Sequence, residues 1–155
     1  MALQDMERDM AGCSRCSSCK WIPQNQVKSW RFAAGCPSIA RFNFHAYSGS
    51  GKMITGLSLL QGRSELNDDV AEIVYRCQLC GSCQVSCQVY RDDIDLSDVL
   101  LELRARCVED GHLLVEHMQM LESMKKEDNP LGMPKAERGD WMEGLDLPDI
   151  GGSSP

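Results

Sequence analysis

Two cysteine triplets with the same spacing constrain this chain more than any other feature. The triplets comprise Cys13, Cys16 and Cys19, and Cys77, Cys80 and Cys83. The second triplet continues to Cys87 and completes the run C-x2-C-x2-C-x3-C, whose thiolates bind a [4Fe–4S] cluster in bacterial ferredoxins. Gly81 lies inside this run, where a residue without a Cβ lets backbone N–H groups approach a cluster closely. The repeated spacing therefore predicts two [4Fe–4S] clusters.

The fourth ligand of each cluster has two possible sources. In a run of this kind the fourth cysteine normally ligates the other cluster. We therefore expect Cys87 to complete the cluster of the first triplet, and Cys36 to complete that of the second. The local alternative assigns Cys36 to the first triplet and Cys87 to its own. The x3 spacing of Cys87 favours the crossed arrangement, and Pro37 follows Cys36 as a proline follows the ferredoxin run, although Gln88 follows Cys87.

Zinc and disulfides are the other interpretations of these cysteines. Structural zinc sites close with four Cys or His ligands, so a triplet leaves each site one ligand short or one in excess. A zinc-stabilised interaction module remains the alternative from a different functional class. The cysteine count of nine is odd, and no apolar signal-peptide core precedes Cys13. Disulfides are therefore not expected, and we expect a cytoplasmic location, at most peripheral to a membrane through partners.

Composition limits the remaining function classes. Sixteen Lys and Arg oppose 23 Asp and Glu, for a net charge of −7 over 155 residues, and this balance argues against nucleic-acid binding. No run of eighteen apolar residues occurs, so no transmembrane segment is predicted. No paired carboxylates and no nucleophile with a neighbouring base can be recognised, so we predict no catalytic residue. Because only 6% of residues are aromatic, metal cross-links are expected to contribute to stability.

Apolar periodicity predicts helices along most of the chain. The predicted helices are a short one before Gly12, one from Cys36 to Tyr47, one from Lys52 to Gln61 after a break at Ser48–Gly51, one capped by Asn67 and leading into Cys77, one from Leu96 to Gly111, and one from Leu114 to Lys126. No convincing alternating strand is present. We therefore predict a mainly α protein, with a helical domain over residues 1–128 holding the two clusters between its helices, and an extended tail over residues 129–155.

Three further residues need an interpretation. Cys107 lies on an apolar helical stripe without cysteine neighbours, which predicts a buried core thiol. Trp21 and Trp30 either shield cluster sulfurs from water or pack in the core. The segment Gly49–Lys52 resembles part of a phosphate-binding loop, but Met53 stands where that motif needs a hydroxyl, so we reject this interpretation.

Together these residues resemble the helical dicluster ferredoxin domain of the C and D subunits of heterodisulfide reductases. Iron–sulfur subunits of glycolate oxidase, lactate utilisation and anaerobic glycerol-3-phosphate dehydrogenase are similar. The segments that carry the resemblance are Cys77–Cys83, the Leu96–Cys107 helix, Asn129–Gly132, Arg138 and Trp141–Leu145. The gap of sixteen residues between Cys19 and Cys36 departs from the usual C-x3-C-P. In this gap, Cys19-Lys20-Trp21 and Lys28-Ser29-Trp30 are similar to electron-transfer subunits associated with tungsten-type benzoyl-CoA reductases.

The resemblance implies a non-catalytic electron-transfer subunit of an anaerobic oxidoreductase complex. It implies two [4Fe–4S] clusters as cofactors, held by the eight cysteines of the two motifs and their crossed partners. The implied partners are other redox subunits, either a flavoprotein or a catalytic subunit with a cysteine-rich CCG domain. Larger relatives continue into such a domain, so the chain is alternatively the N-terminal part of a longer CCG-domain reductase.

Overall fold

The computed structural model describes residues 2–22 and 25–145. The α-helices are α1 (Glu7–Gly12), α2 (Pro37–Phe42), α3 (Gly49–Leu60), α4 (Asp68–Tyr75), α5 (Ser82–Gln88), α6 (Leu96–Glu109) and α7 (Val115–Glu127). Short 3-10 helices cover Leu3–Met6, Ser18–Lys20, Trp30–Phe32, His45–Tyr47 and Lys135–Met142. The end of the predicted tail, residues 146–155, lies outside the described residues.

The predicted mainly α fold is confirmed. Within the described ranges no strand forms, and the one ladder contact is an isolated antiparallel bridge between Trp21 and Ala34. This bridge closes the segment between the first triplet and Cys36 into a loop. No helix among residues 2–22 and 25–145 combines the length and apolar character that a membrane span requires.

Side-chain caps explain where three of the helices begin. The Asn67 side chain accepts a hydrogen bond from the Val70 amide at 3.0 Å and begins α4, as its position predicts. Asp95 caps α6 in the same way, since its carboxylate accepts from the Asp98 amide at 3.1 Å. Ser48 begins α3 with a 2.9 Å bond from the amide of Gly51.

Two helix boundaries differ from the prediction. The helix that follows Cys36 ends at Phe42, because Asn43 adopts a left-handed conformation with φ of +48°. The segment up to Tyr47 is a separate 3-10 helix. The predicted chain break at residues 48–51 is wrong, since Gly49 and Gly51 form the first turn of α3. A Cβ at Gly51 would lie 2.1 Å from the His45 carbonyl oxygen, so this glycine allows α3 to pack directly on the preceding backbone.

The core lies between α3 and α6. Helix α3 packs against α1 and α6, and α6 also contacts α4 and α5. The buried members of this core are Leu3, Met6, Met10, Cys19, Met53, Leu57, Ala71, Val74, Cys83, Ile94, Leu96, Val99, Leu100, Leu103 and Cys107. Gly56 lets α1 approach α3, since a Cβ there would lie 2.5 Å from the sulfur of Met10. Two cysteines of the predicted motifs therefore belong to the core itself.

The described chain forms two compact units that divide between Leu113 and Leu114. The first contains α1 to α6 and all nine cysteines. In the second, Asn129 organises the turn after α7, where its side-chain oxygen accepts from the amides of Leu131 and Met133 at 3.0 and 3.3 Å. The predicted division into residues 1–128 and 129–155 concerns domain organisation and stays a prediction.

Replacing Cys107 tests whether this core cysteine has a structural role only and does not bind iron. Its side chain is fully buried on α6, as the apolar stripe predicts, and burial raises the pKa of its thiol to about 11. A neutral buried thiol behaves as a small apolar group. We expect Cys107→Ala to lower the free energy of unfolding by ~1 kcal/mol, the cost of a small cavity, and to leave iron content unchanged. Anaerobic denaturant titration and iron analysis measure both quantities, and loss of iron in this variant would contradict a purely structural role.

Candidate functional site

Two cavities in the first unit are each lined by four cysteines. The first, cavity A, is lined by Cys36, Cys77, Cys80 and Cys83. The second, cavity B, is lined by Cys13, Cys16, Cys19 and Cys87. Each cavity thus combines one complete triplet with a single cysteine from the other half of the sequence. This is the grouping that the crossed arrangement expects, while the assignment of individual ligands stays a prediction.

Helix α5 carries one cysteine to each cavity. Cys83 lines cavity A and Cys87 lines cavity B, although only three residues lie between them. The 3-10 helix Ser18–Lys20, which contains Cys19, packs against α5. Gly49 of α3 lets the elements come close, since a Cβ there would lie 3.0 Å from the Cβ of Cys83. The two triplets are therefore neighbours in space.

The position of Cys36 follows from the start of α2. Pro37 occupies the first turn of this helix, where its missing N–H costs nothing. The hydroxyl of Ser38 donates a hydrogen bond to the carbonyl of Arg76, the residue before Cys77. This bond fixes the start of α2 beside the second triplet and explains why Cys36 lines cavity A.

The two triplets share one feature of backbone conformation. In each, the residues directly before and after the middle cysteine have positive φ. The angles are +58° and +68° at Arg15 and Ser17, and +51° and +74° at Leu79 and Gly81. Positive φ is uncommon in residues other than glycine and concentrates at functional sites. The two triplets therefore match in these backbone angles as well as in cysteine spacing.

Two arginines support the helix ends that precede the triplets. Arg91 donates from Nη1 to the carbonyl of Gly12 at 2.8 Å, directly before Cys13. Arg104 donates to the carbonyls of Tyr75, at 3.2 Å, and of Cys77. A cation near the last carbonyls of a helix satisfies them and interacts favourably with the helix dipole. Each triplet therefore begins from an anchored helix end.

Backbone and hydroxyl groups point at several of the cysteine sulfurs. The amide of Ser50 donates to Cys19 Sγ at 3.3 Å, and the amide of Leu79 lies 3.5 Å from Cys77 Sγ. Cys16 Sγ lies 3.4 Å from the hydroxyl of Ser18. N–H donors of this kind stabilise thiolate ligands and tune the reduction potential of a cluster. Sulfur donors around a buried space, with amides facing them, fit a sulfur-ligated cluster.

Electrostatics groups the cysteines in the same two sets. Burial, the largest cause, and the negative charges of Cys77, Cys19, Cys36 and Cys80 together raise the pKa of Cys83 to about 12, and three of these four neighbours belong to its own set. Burial also raises the pKa of Cys87, followed by the thiolates of the first triplet. Such thiols hold their protons without metal, so metal binding must release protons. Within the described ranges, no three His, Cys, Asp or Glu side chains are grouped so as to hold a single metal ion.

Comparison with known proteins identifies the family. A family model described as 4Fe-4S dicluster domain matches residues 6–90, more than half of the chain. The chain belongs to this 4Fe-4S dicluster family. Searches of curated proteins and of solved structures gave no match. The matched region of the dicluster domain contains all eight cysteines of the two cavities and leaves out Cys107.

Membership of the family confirms the predicted cofactors and the general function. The dicluster domain holds two [4Fe–4S] clusters and transfers electrons. All eight cysteines of the two cavities lie within the described residues. Iron–sulfur chemistry at these cavities thus agrees with the donor set that the fold assembles.

Sequence reasoning missed Lys52, which lines cavity A. This lysine is 1% exposed, and its ammonium donates to the carbonyl of Tyr47 at 2.6 Å. Burial lowers its pKa, and the thiolates of Cys77 and Cys36 oppose that shift. The sequence signal was available, since Lys52 falls one residue before Met53 on the most buried part of α3. A charge on a buried helix needs a partner, and the cysteines of cavity A supply it.

Trp21 and Trp30 do not pack in the core. Trp21 is 44% exposed and Trp30 is 72% exposed, so core packing is wrong for both. They line an open groove beside the first triplet, here called the tryptophan groove, which consists of Cys16, Ser17, Ser18, Trp21, Ile22, Trp30 and Ala33. Their rings therefore lie at the surface next to a cysteine of cavity B.

Lys52 leads to a prediction about reduction potentials. A nearby cation favours the more negative, reduced state of a cluster, and a buried charge acts more strongly than a solvated one. We expect Lys52→Met to lower the potential of one cluster by ~60 mV or more, which corresponds to ~1.4 kcal/mol for one electron. Redox titration followed by EPR measures this change.

Lys20→Met is the matched control, because it removes the same charge from a half-buried position beside the first triplet. We expect a smaller shift in this variant. Equal shifts for the two variants, or no shift for Lys52→Met with both clusters retained, would contradict the role of Lys52.

Proposed function

We propose that this chain is an electron-transfer subunit of an oxidoreductase complex of the heterodisulfide-reductase type. The four cysteines of cavity A ligate one [4Fe–4S] cluster, and the four cysteines of cavity B ligate the other. In this assignment Cys36 and Cys87 exchange between the two halves of the sequence. The chain itself makes and breaks no bonds of a substrate.

The observation that carries the proposal is the composition of the two cavities. Each contains three cysteines from one triplet and a fourth from the distant half of the chain. The Cys36 backbone also lies near the first triplet, since its amide donates to the Lys20 carbonyl at 3.3 Å. Cys36 nevertheless lines cavity A, and the bond from Ser38 to the Arg76 carbonyl ties its helix to the second triplet. The structure therefore supports the crossed ligand sets over the local ones.

The protein's own groups control the electron transfer in this proposal. Each cluster, when bound, accepts and releases one electron. Burial of Cys19 and Cys83 limits the access of water to the sulfur ligands. The amides of Ser50 and Leu79 stabilise sulfur charge, and Lys52 adds a fixed positive charge at cavity A. The resulting difference between the cavities gives the two clusters unequal potentials.

The heterodisulfide-reductase type is supported by the resemblance of several segments outside the matched dicluster region. These include Asn129–Gly132 and Trp141–Leu145, which are similar to the connection into a CCG domain in larger relatives. In this proposal the partners are a flavoprotein and a subunit that carries the catalytic site. The similarity of Cys19-Lys20-Trp21 and Lys28-Ser29-Trp30 to subunits associated with benzoyl-CoA reductase names one candidate complex.

The ligand sets predict the effect of replacing Cys36. Because Cys36 closes cavity A, Cys36→Ser should damage the cluster of the second triplet and leave the cluster of the first largely intact. Wild-type protein reconstituted under anaerobic conditions should hold about eight irons and about eight sulfides. The variant should fall to about four irons, with Cys77 and Cys80, the less buried cysteines of the second triplet, newly open to alkylation.

Cys107→Ser is the control for this experiment, and it should retain all the iron. Alkylation of Cys13, Cys16 and Cys19 in the Cys36→Ser variant would instead support the local arrangement. Zinc without iron or sulfide in the purified protein would contradict electron transfer altogether.

Native anaerobic purification tests the proposed complex. We expect the chain to co-elute with a subunit that contains flavin or a CCG domain, since an electron-transfer subunit functions between two redox partners. Elution as a free chain that holds both clusters would contradict the complex and leave the ligand sets intact.

A further inference from the structure

Charge is distributed very unevenly along this acidic chain. Residues 10–64 contain seven of the 16 Lys and Arg, and none of the 23 Asp and Glu. The basic residues of this segment are Arg15, Lys20, Lys28, Arg31, Arg41, Lys52 and Arg63. The segment includes the whole first triplet and the loop that leads to Cys36. In a protein of net charge −7, the first triplet thus lies in a stretch of sequence that carries only positive charges.

Most of this positive charge is available at the surface. Arg15, Lys28 and Arg31 are exposed and Lys20 is half-buried. Among the residues that the structure describes, none of the ion pairs involves them. The guanidinium of Arg31 lies over the ring of Phe32, 5.6 Å from its centroid. The cations are therefore not neutralised within the described chain.

The tryptophan groove lies within this positive segment. Cys16, which lines the groove, is exposed, whereas Cys19 and Cys83 are buried. Trp30 and Phe32 add exposed aromatic surface of 72% and 66%. Exposed aromatic anchors beside unpaired cations are typical of a protein interface, where aromatic residues and arginine are enriched. The groove also gives a partner direct access to a cysteine of cavity B.

We propose that the tryptophan groove is the docking site of a redox protein that presents an acidic surface. This inference rests on the proposed function, since it takes Cys16 as a ligand of the cavity B cluster. Carboxylates of the partner pair with Arg15, Lys28 and Arg31, and its redox centre exchanges electrons through the edge of the domain at Cys16. In this proposal, electrons enter or leave the subunit through the cluster of cavity B.

Two other occupants fit the observations less well. A single-stranded nucleic acid would also meet cations and aromatic rings, but it makes no use of a cluster ligand that lines the groove. A second copy of this chain in a symmetric dimer would place the same patch on both partners. Two positive patches would then face each other, which is unfavourable.

The experiment uses the reconstituted full chain and three defined electron donors. The same photoreducible flavin is attached to a Glu-rich peptide, to a Lys-rich peptide of equal length, and to an oligothymidylate. Flash photolysis then gives the rate of electron transfer to the clusters as a function of salt. Opposite charges steer association and can raise its rate by 10-fold or more, an effect that salt removes. We expect the Glu-rich donor to be at least ~10-fold faster than the Lys-rich donor at low salt.

Arg31→Glu and Trp30→Ser test the groove itself. Each should slow the Glu-rich donor several-fold while iron content and the EPR spectrum stay unchanged. Arg63→Glu is the matched control, with the same change of charge in the same basic segment. Helix α3 begins beside Cys19 through Ser50 and ends near Arg63, and ten residues of helix span ~15 Å. We expect the control to behave as wild type.

Several results would overturn the docking proposal. They are equal rates for the acidic and basic donors, equal slowing by Arg31→Glu and Arg63→Glu, or a faster rate for the oligothymidylate donor than for the Glu-rich one. Dimerisation in sedimentation velocity that Trp30→Ser abolishes would assign the groove to a second copy instead. Failure of the proposed function has a different signature, since wild-type protein would then lack iron or lose no cluster when Cys16 is replaced by serine.

Discussion

The packing of the Ser18–Lys20 turn against α5 is the contact on which the rest of the structure depends. It joins two segments that are 64 residues apart in the sequence and share one feature of backbone conformation. Each cavity combines one triplet with a single cysteine from the other half of the chain. Because the fourth cysteine of each cavity comes from the other half of the chain, the two halves must pack together before four sulfurs are assembled in either cavity. The proposed ligand sets would then hold the closed fold together through iron.

The internal repeat explains much of the architecture. A helix ends, an arginine holds its last carbonyls, and a triplet follows with positive φ on both sides of its middle cysteine. This arrangement is found after α1 and again after α4. Helices α3 and α6 pack against each other and supply seven of the fifteen buried core residues. The copies differ in their surroundings, since a buried lysine lines cavity A and an open aromatic groove lies beside cavity B.

Much of this could be predicted from local sequence signals. Cysteine spacing predicted the number and type of clusters, and Asn67 and the Leu96–Cys107 stripe predicted α4 and α6 because capping and periodicity act over a few residues. The crossed grouping followed from a rule about the C-x2-C-x2-C-x3-C run. The sequence carried a signal that Lys52 is buried, but it could not identify the partners of this charge, because Cys36, directly before α2, and Cys77 are distant from it in the sequence. The start of α3 was also misplaced, since the glycines that suggested a break serve close packing: Gly51 packs against the backbone of residues 45 and 46, and Gly49 against Cys83 and Leu96.

Helix α5 has a consequence for the number of electrons that the subunit delivers. Its seven residues carry Cys83 into one cavity and Cys87 into the other, one turn apart along the same helix. Under the proposed ligand sets this short covalent path joins the two clusters, so charge can redistribute between them without any movement of the chain. A partner that touches only one edge of the domain would still draw on both. The subunit would then behave as a small reservoir of two reducing equivalents, and it could supply a two-electron reaction in a single encounter.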